Sequence, residues 1–503
     1  MQRLRIALDP TLKGRHGSAL AWAWRTLLTG LGYAWEEVDP SDPACDIAHT
    51  TRPHPTARIW VAADLDAWQA PTAYRLAGIQ SVGPWTLPRY QGHAERSTPG
   101  FQHNQYIIAS DIIFDFFWLL TGQEEPALPK NKHGYLELAG TPWLSERIFP
   151  HGLASAMGVS LADILQQCGY ATGLPRWPHG KQAAACISHD VDYPQVIRWL
   201  EPLRILARQG SAGLRNALDV ITGKRHHWHF ASWMQLEQEL GSRSAFYFMA
   251  RKGSLPEYAL GRPDAFYDIR QPAFRQVIAQ LQQGGWEVGL HGSYEAYAQP
   301  AQFAAEKRLI EQIAGAPVAG HRHHYWHLDP QNPEATLHLH EQLGFRYDAS
   351  LTNDHYLGWR RSLAWPFFPF YQAEQRPLRI LQIPTGWMDD QLFGQQAANP
   401  GDRLSLLRAL AATTHAQGGV LLADIHEYVF DDALFPGWSA TLAQIWRELG
   451  QQGSWWFATP AEVASYWHDR AATITYASNG LHIGSRTGAY TDTVTHLDLA
   501  AST

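Results

Sequence analysis

The sequence predicts an α/β protein in which parallel strands are covered by helices. After residue 175, short apolar segments alternate with amphipathic ones, and this alternation is typical of β-α-β units. In the segment 272–283, apolar residues repeat at the spacing of a helix. Such units build either a (β/α) barrel or a doubly wound sheet, and the pattern itself leaves both open. Strands are expected at 183–188, 244–249, 286–291, 345–348, 379–384, 419–425 and 454–457.

The 503 residues are predicted to form three parts. Residues 1–175 are expected to be a smaller α/β domain, and no catalytic cluster stands out in it, so we interpret it as accessory. A stretch rich in Pro and Gly at 175–180 favours a boundary, with the second domain over 176–470. Residues 471–503 are rich in Thr and Ser and predict a small β appendage or a loose tail. Within the first part we expect strands at 3–8 and 58–62, helices at 17–30 and 111–120, and loops over 70–105.

The composition is that of a folded globular protein, with 45% hydrophobic and 17% charged residues. The net charge of −7, with both signs mixed, gives no sign of binding to nucleic acid or to an anionic membrane. Cys45, Cys168 and Cys186 are isolated, without the spacing of a disulfide framework. The first residues lack the apolar region of a signal peptide, and no uninterrupted apolar run approaches the ~20 residues of a membrane helix. We therefore expect a cytoplasmic protein with no nucleic-acid partner and no integral membrane segment.

Ionisable residues follow four of the predicted strands, at the end where active sites of such folds lie. Asp190 and Asp192 stand two residues apart after a buried strand, so one could bind a metal while the other acts as a base, although Asp-x-Asp is also common in turns. His291 and Glu295 would share one side of a helical turn and suit a zinc-type ion that keeps a position open for water. The remaining clusters are the His-rich segment 320–327 and the apolar strand 421–428, which carries His426 at its end.

In order and spacing, these clusters resemble the motifs of the polysaccharide deacetylase family (NodB-homology domain, carbohydrate esterase family 4). The matching segments are 188–192 (SHDVD), 287–294 (EVGLHGSY), 320–325 (GHRHHY), 344–350 (GFRYDAS) and 425–426 (IH). The sequence is most similar to a bacterial branch with an HDVD signature and a variable N-terminal α/β domain, and the resemblance covers about 176–470. It implies a distorted (β/α) barrel that removes acetyl groups from N-acetylated sugars with a divalent metal ion, which we expect to be zinc.

The resemblance also implies a role for individual residues. By position, Asp192 and His291 match metal ligands, and Asp190 matches the general base. Arg322 corresponds to the arginine that orients this base, and Tyr325 lies on the loop whose backbone N–H supports the oxyanion. His426 corresponds to the general acid that protonates the leaving amine.

The sequence departs from the family pattern in two of its motifs. Glu295 stands where the family has a second metal-binding histidine, and we expect Glu295 to be the third ligand because zinc accepts carboxylate oxygen. In the third motif, His323 and His324 replace the usual residues between the arginine and the tyrosine, and either histidine is an alternative source of the ligand.

Three functions therefore remain open. The first is a metal-dependent deacetylase acting on an amino sugar in a polysaccharide or in its lipid- or nucleotide-linked precursor. The second is a hydrolase of another C–N or ester bond on the same scaffold, because fold does not fix function. The third is an inactive sugar-binding protein, which the missing metal histidine keeps open. No G-x-S-x-G or G-x-G-x-x-G pattern indicates a serine hydrolase or a dinucleotide cofactor.

Overall fold

A computed structural model describes residues 2–396 and 400–478 of the chain. The strands are β1 (Arg3–Leu8), β2 (Ala34–Val38), β3 (Ile47–Thr50), β4 (Ile59–Ala62), β5 (Leu76–Val82), β6 (Trp85–Tyr90), β7 (Gly100–Gln102), β8 (Gln105–Ile108), β9 (Ala183–Val191), β10 (Ser244–Met249), β11 (Glu287–Gly292), β12 (Gly320–His323), β13 (Tyr347–Asp348), β14 (Phe370–Tyr371), β15 (Arg376–Pro377), β16 (Leu381–Gln382), β17 (Thr385–Met388), β18 (Val420–Asp424) and β19 (Trp455–Phe457). The α-helices are α1 (Pro10–Leu31), α2 (Leu65–Gln69), α3 (Ile112–Leu120), α4 (Pro142–Ser145), α5 (Ile148–His151), α6 (Leu153–Gln167), α7 (Glu201–Gln209), α8 (Leu214–Ile221), α9 (Phe230–Glu239), α10 (Leu255–Ala259), α11 (Pro272–Gln283), α12 (Pro300–Ala314), α13 (Pro333–Gln342), α14 (Pro400–Gln417), α15 (Trp438–Gln452) and α16 (Pro460–Ser478). Short 3₁₀ turns and a π-helical turn at Gln391–Gln396 join several of them.

The first sheet has the strand order β2-β1-β3-β4-β8-β7 and is parallel except for β7, which runs antiparallel to β8. Its first helix, α1, begins after Asp9, whose carboxylate accepts hydrogen bonds from the N–H groups of Thr11 and Leu12. The segment 70–105, predicted as loops, contains the antiparallel hairpin β5-β6 and strand β7. Pro88 lies within β6, where a proline is tolerated because this sheet has only two strands and therefore only edges.

The second sheet is parallel and has the cyclic strand order of a barrel. From β9 the neighbours follow in chain order through β10, β11, β12 and β13 to β16, and on the other side of β9 lie β18 and then β17. The two end strands, β16 and β17, are separated by only two residues, of which Pro384 has no N–H to donate to a ladder. Across this seam the Thr385 hydroxyl donates to the Ala349 carbonyl oxygen at 3.0 Å. The sheet therefore curls into a distorted (β/α) barrel and is not a doubly wound sheet, in which the order would reverse.

Side-chain packing is continuous between the two sheets. One hydrophobic cluster includes buried residues from β1 and α1 as well as from β9, β10 and β18. Beside it, Glu125 forms ion pairs with Arg360 at 2.7 Å and with Arg361 at 2.9 Å, and all three side chains are buried. The three cysteines are also buried and unpaired. The proposed boundary near residue 175 therefore separates two sheets but does not separate two cores.

Two helical segments differ from what the sequence predicts. Residues 471–478, predicted as a β appendage or tail, belong to α16, and the rest of that segment lies outside the described residues. The stretch Ile148–Gln167 is long and apolar enough to cross a membrane by length and composition, although no uninterrupted apolar run of that length is evident in the sequence. Because 67% of its most apolar window is buried inside the fold, and core helices pass the same criterion, this is weak evidence for a membrane span.

Candidate metal centre and active site

The carboxyl ends of the barrel strands bring most of the predicted site residues together. In the ladder between β11 and β12, His291 lies beside Arg322, and in the ladder between β18 and β9, Asp424 lies beside Ser188. Every residue of β9 is buried. The side chains at the end of this strand therefore extend into the site from apolar surroundings. Parallel strands end at the same edge of a sheet, and this edge is where the site lies.

Asp192, His291 and His324 form a group that could hold a metal ion. Each of the three buried side chains offers one potential ligand atom, and these atoms all lie within 4.8 Å of one another. Nε2 of His291 is 3.3 Å from one carboxylate oxygen of Asp192, and Nε2 of His324 is 3.5 Å from the other. The structure thus brings Asp192 and His291 together, as the resemblance implied, and adds His324.

A hydrogen bond orients His291 for metal binding. Nδ1 of His291 donates to the carbonyl oxygen of Arg322 at 2.9 Å, which leaves the lone pair on Nε2 facing Asp192. Neither this Nε2 nor Oδ1 of Asp192 has a hydrogen-bond partner among the described residues, although both are buried. Such unpaired buried atoms are costly unless a bound group satisfies them. The donor set of two imidazoles and one carboxylate therefore fits a zinc-type ion with an open position.

Asp264 lies behind His324 and completes its surroundings. Its Oδ1 is 3.5 Å from Nδ1 of His324 and accepts a hydrogen bond from the Tyr294 N–H at 2.7 Å, while Arg251 holds its Oδ2 at 2.6 Å. Burial opposes charge on His324, but Asp192 and Asp264 together raise its pKa to about 9. The same negative surroundings that hold a proton on this ring would favour a divalent cation in its place.

Glu295 is not part of this group, which corrects the expected third ligand. After His291 the chain turns instead of forming a helix, and Glu295 precedes a short 3₁₀ segment. Its carboxylate is 31% exposed and pairs with Arg262 at 2.7 Å. The i to i+4 spacing that would put it beside His291 holds only on a helix. His324, and not Glu295, lies with Asp192 and His291 in the group that could hold a metal ion.

His321 and His323 lie on the opposite face of β12 from Arg322, because side chains alternate along a strand. Nδ1 of His321 is 3.1 Å from Oδ2 of Asp348, and Nε2 of His323 is 2.9 Å from Nε2 of His340. Burial and the nearby His340 lower the pKa of His321 to about 3, so this imidazole is neutral. His323, the other alternative for the missing ligand, therefore belongs to a separate buried histidine cluster.

Arg322 holds the presumed base, Asp190. Its Nη1 is 2.9 Å from Oδ1 of Asp190 and 2.8 Å from Oδ1 of Asp424, and its Nη2 donates to the Ser188 hydroxyl at 2.8 Å. Burial works to raise the pKa of Asp190, but Arg322 and His291 hold it below its usual range. Burial raises the pKa of Asp424 well above its usual range even though the arginine lies beside it. The negative charge of this pair of carboxyls therefore resides on Asp190, which is ionised and able to accept a proton.

His426 faces the same centre from β18 and is held by Asp389. Nδ1 of His426 is 3.0 Å from Oδ1 of Asp389, and the His426 N–H donates to Oδ2 at 2.7 Å. The other ring nitrogen, Nε2, is 3.5 Å from Oδ2 of Asp192. Burial opposes charge on the ring, but Asp389 raises the pKa of His426 well above its usual range. The protonated imidazole is therefore available as an acid beside the candidate metal group.

A cavity of about 540 Å³ opens above these residues. Tyr325 lines it and has a left-handed backbone with φ 56°, as has the next residue, Trp326, with φ 45°. Tyr135, from the part of the chain before the barrel, stacks on Tyr325 with ring centroids 6.5 Å apart. The remaining wall is formed by Asp190, Asp192, Tyr193, Arg208, His291, His324, Asp354, Met388, Asp389, Asp390, His426, Tyr428, Leu434, Phe435 and Trp438.

Four residues of this site have no role in the sequence-based interpretation. Nothing in the sequence pairs Asp389 with His426. Asp264 lies in a loop after β10, and Tyr135 precedes the barrel, so neither belongs to a strand-end cluster. Asp424, two residues before His426 at the end of a buried strand, is the one that a closer inspection of strand ends could have found.

No protein-family model matches the chain, and no curated protein matches it. Some solved structures resemble it. One, named as a polysaccharide deacetylase from Mycobacterium smegmatis, is 16% identical over 63% of this chain and 97% of that one, with a TM-score of 0.38. Puue allantoinase is 17% identical over 60% and 95%, with a TM-score of 0.40. Another, named as a polysaccharide deacetylase from Pseudomonas aeruginosa PAO1, is 15% identical over 61% and 97%, with a TM-score of 0.40. These values are too low to carry a function, which we infer from the site alone.

Proposed function

We propose that this protein is a metal-dependent hydrolase that removes an N-acetyl group from an amino sugar. The observation that carries this proposal is the arrangement around one cavity of three kinds of group. Asp192, His291 and His324 form the candidate ligand group, Asp190 is an ionised carboxylate, and His426 is a protonated imidazole. Together these groups could activate water and protonate the departing nitrogen, which hydrolysis of an amide requires because water is a poor nucleophile and an amine anion is a poor leaving group.

A divalent ion, for which we propose zinc, would be held by Asp192, His291 and His324. When bound, such an ion lowers the pKa of water towards about 7 and polarises a carbonyl group. Asp190 would accept the proton of the attacking water, and Arg322 fixes the orientation of its carboxylate through the 2.9 Å contact. Because Arg322 is fully buried, solvent does not compete for this contact.

His426 would supply the second proton transfer. Its Nε2 faces the candidate ligand group, and Asp389 holds the other ring nitrogen, so the ring presents its proton in one direction. This proton would pass to the departing sugar nitrogen as the C–N bond breaks. A protonated histidine with a raised pKa remains an acid at neutral pH, which suits this step.

The cavity suits a sugar rather than a small amide. Its volume of about 540 Å³ lies within the range of sites for small molecules, and Tyr135, Tyr325 and Trp326 give it aromatic walls. Aromatic faces can pack on the apolar faces of sugar rings. We further propose that the substrate is a polysaccharide or its lipid- or nucleotide-linked precursor, and that the protein acts in the cytoplasm, where its three free cysteines would stay reduced.

The test combines metal content with release of acetate. The purified wild-type protein should contain close to one equivalent of zinc or a similar ion by elemental analysis, and His291→Ala should lose it. Acetate release from a panel of acetamido sugars should fall about 10²-fold or more in Asp190→Asn and in His426→Ala, while metal content is retained.

Other outcomes would favour the alternatives. Turnover of O-acetylated sugars or cyclic amides in place of acetamido sugars would identify another hydrolase. If the protein takes up no metal after incubation with zinc, cobalt or nickel and still binds sugar, it is a binding protein.

A further inference from the structure

One face beside the site exposes an unusual concentration of apolar side chains. Of the twelve large hydrophobic side chains that are exposed in the described residues, eight lie between residues 199 and 260. Single exposed apolar residues are ordinary, but a group of them marks an interaction surface. The eight, which we call the apolar patch, are Trp199, Leu203, Leu214, Leu218, Ile221, Leu255, Tyr258 and Leu260, with exposed fractions of 39–78%.

The patch is built on a hairpin of two short helices, α7 and α8. On α8 the exposed residues Leu214, Leu218 and Ile221 follow one another at i, i+4 and i+7 and therefore share one face. A neighbouring face of the same helix carries Ala217 and Val220, which are buried in a small cluster with Ile205 of α7. The helix is thus apolar on two sides, and only the inner side is explained by the fold.

The hairpin and α10 belong to one surface. Nη2 of Arg204, on α7, is 3.4 Å from the hydroxyl of Tyr258, on α10. On the other side, Asn216 of α8 donates to the carbonyl oxygen of Ala433 at 3.2 Å. The next two residues, Leu434 and Phe435, line the cavity of the candidate active site, and so does Arg208 of α7. The apolar patch therefore borders the cavity mouth.

The same hairpin is basic although the whole chain is acidic. Residues 198–225 contain six basic residues and two acidic ones, whereas the net charge of the chain is −7. Of the acidic residues, Glu201 is buried and Asp219 lies 3.8 Å from Arg225. Four of the basic residues are exposed and form no ion pair with any residue that the structure describes: Arg198, Arg208, Arg215 and Lys224.

We propose that this face binds the surface of a membrane that contains anionic lipids. Leu and Ile side chains on short helices, together with Trp199 just before α7, would enter the boundary between headgroups and acyl chains. The surrounding arginines and lysine would contact the negative headgroups. The averaged charge of the sequence gave no sign of such binding, because the acidic residues that outweigh this segment lie elsewhere in the chain. The binding itself does not depend on the proposed activity.

Membrane binding would place the cavity mouth at the lipid surface. An acetylated sugar attached to a lipid would then reach Asp190 and His426 without leaving the membrane. This orientation rests on the proposed function, and it favours the lipid-linked precursor among the proposed substrates.

The test is co-sedimentation of the full-length protein with vesicles, in the absence of any sugar substrate. Vesicles of pure phosphatidylcholine are compared with vesicles of equal parts phosphatidylcholine and phosphatidylglycerol. We expect binding to the anionic vesicles that weakens with added salt, since salt screens charges. The triple variant Leu203→Ser, Leu214→Ser, Leu218→Ser should bind at least about tenfold more weakly, as the loss of three inserted side chains implies. A matched control, Phe101→Ser, Leu144→Ser, Tyr476→Ser, removes three exposed apolar side chains from other surfaces and should bind like the wild type.

A charge-reversal variant and a measurement of oligomeric state complete the experiment. The variant Arg198→Glu, Arg215→Glu, Lys224→Glu should lose the preference for anionic vesicles. Equal binding of the wild type to both kinds of vesicle, or an equal loss in the control variant, would overturn the proposal. It would also be overturned if the wild type binds no vesicles and forms a dimer that the leucine variant does not, because a second copy of the chain would then cover the patch. Serine at exposed positions is not expected to unfold the protein, and circular dichroism of each variant verifies this.

Discussion

Replacement of His324 by alanine tests which residue completes the candidate metal group. The structure places His324 with Asp192 and His291, whereas Glu295 is 31% exposed and paired with Arg262. We therefore expect His324→Ala to lose the metal and Glu295→Ala to retain it. Glu295→Ala is a matched control, because it removes the residue that the sequence predicts as the third ligand.

The expected magnitudes follow from the contacts of each side chain. Asp264→Asn removes a negative charge 3.5 Å from Nδ1 of His324, and loss of such an outer partner typically costs about 10–100-fold in metal affinity. His324→Ala removes the ligand itself, so its loss should exceed about 100-fold. Glu295→Ala breaks a partly exposed ion pair of the kind that contributes at most about 1 kcal/mol, so metal affinity should change by less than about fivefold.

Zinc affinity is measured by competition between the metal-free protein and a coloured chelator, with elemental analysis of each purified variant. Thermal unfolding gives an independent measure, since metal at 100 times its Kd stabilises the folded state by about 2.7 kcal/mol. The reasoning is refuted if Glu295→Ala loses as much metal as His324→Ala, or if His324→Ala binds zinc like the wild type.

Three further predictions concern proton transfer, pH and packing. Asp389→Asn should lower turnover about 10²-fold. It should also move the alkaline limb of the pH–rate profile to lower pH, because Asp389 raises the pKa of His426. An alkaline limb that does not move would argue against the pairing of Asp389 with His426. Burial raises the pKa of Glu287 from 4.5 to about 7, so its contribution to stability is full below pH 4.5 and is lost as the pH rises through about 7. Between pH 5 and 8, the free energy of unfolding in urea should therefore fall by up to about 3 kcal/mol more in the wild type than in Glu287→Gln, at about 1.4 kcal/mol per pKa unit. Parallel pH profiles of the two proteins would contradict this. Gly320→Ala would put a methyl group 1.9 Å from the Tyr347 ring, whose hydroxyl bonds to Tyr247. We therefore expect the free energy of unfolding to fall by about 1–3 kcal/mol and the Tm to be lower. An unchanged Tm would show that the ring can move.

Much of the barrel could be predicted because its elements follow simple local rules. The structure has a strand at Ser244–Met249 and a helix at Pro272–Gln283, which match the predicted ranges. The strand is a short apolar run, and the helix combines an apolar face with a proline at its first position, where no N–H is needed. The hairpin β5-β6 was missed, because two short strands with Gly and Pro among them have the composition of a loop.

The sequence predicts correctly which strand-end residues lie close together, but it does not predict positions where the backbone leaves regular structure. Asp190, His291 and Arg322 lie in the last residues of buried strands, and Asp192 and His426 each follow one, so their convergence could be expected from a parallel sheet. The prediction that Glu295 is a ligand was wrong because the i to i+4 spacing of a helix was applied to a turn. Side chains alternate along a strand, so His324 would have been expected on the same face as Arg322 and favoured over His323 as a ligand. A 3₁₀ segment begins at His324, however, so the strand rule does not strictly apply there. Asp264 approaches from a loop that no local rule positions.

The contact between Tyr135 and Tyr325 also limits where this chain can be divided. A segment that precedes the barrel by about fifty residues supplies a wall of the cavity, and His133 in the same segment lies 2.8 Å from the Tyr294 hydroxyl. A gene fragment that began at residue 176 would encode all the proposed ligands and proton donors but a cavity open on one side. Exchange of the first 175 residues between homologous genes would therefore alter which substrates fit, and would act as a means of changing specificity while the chemistry stays the same.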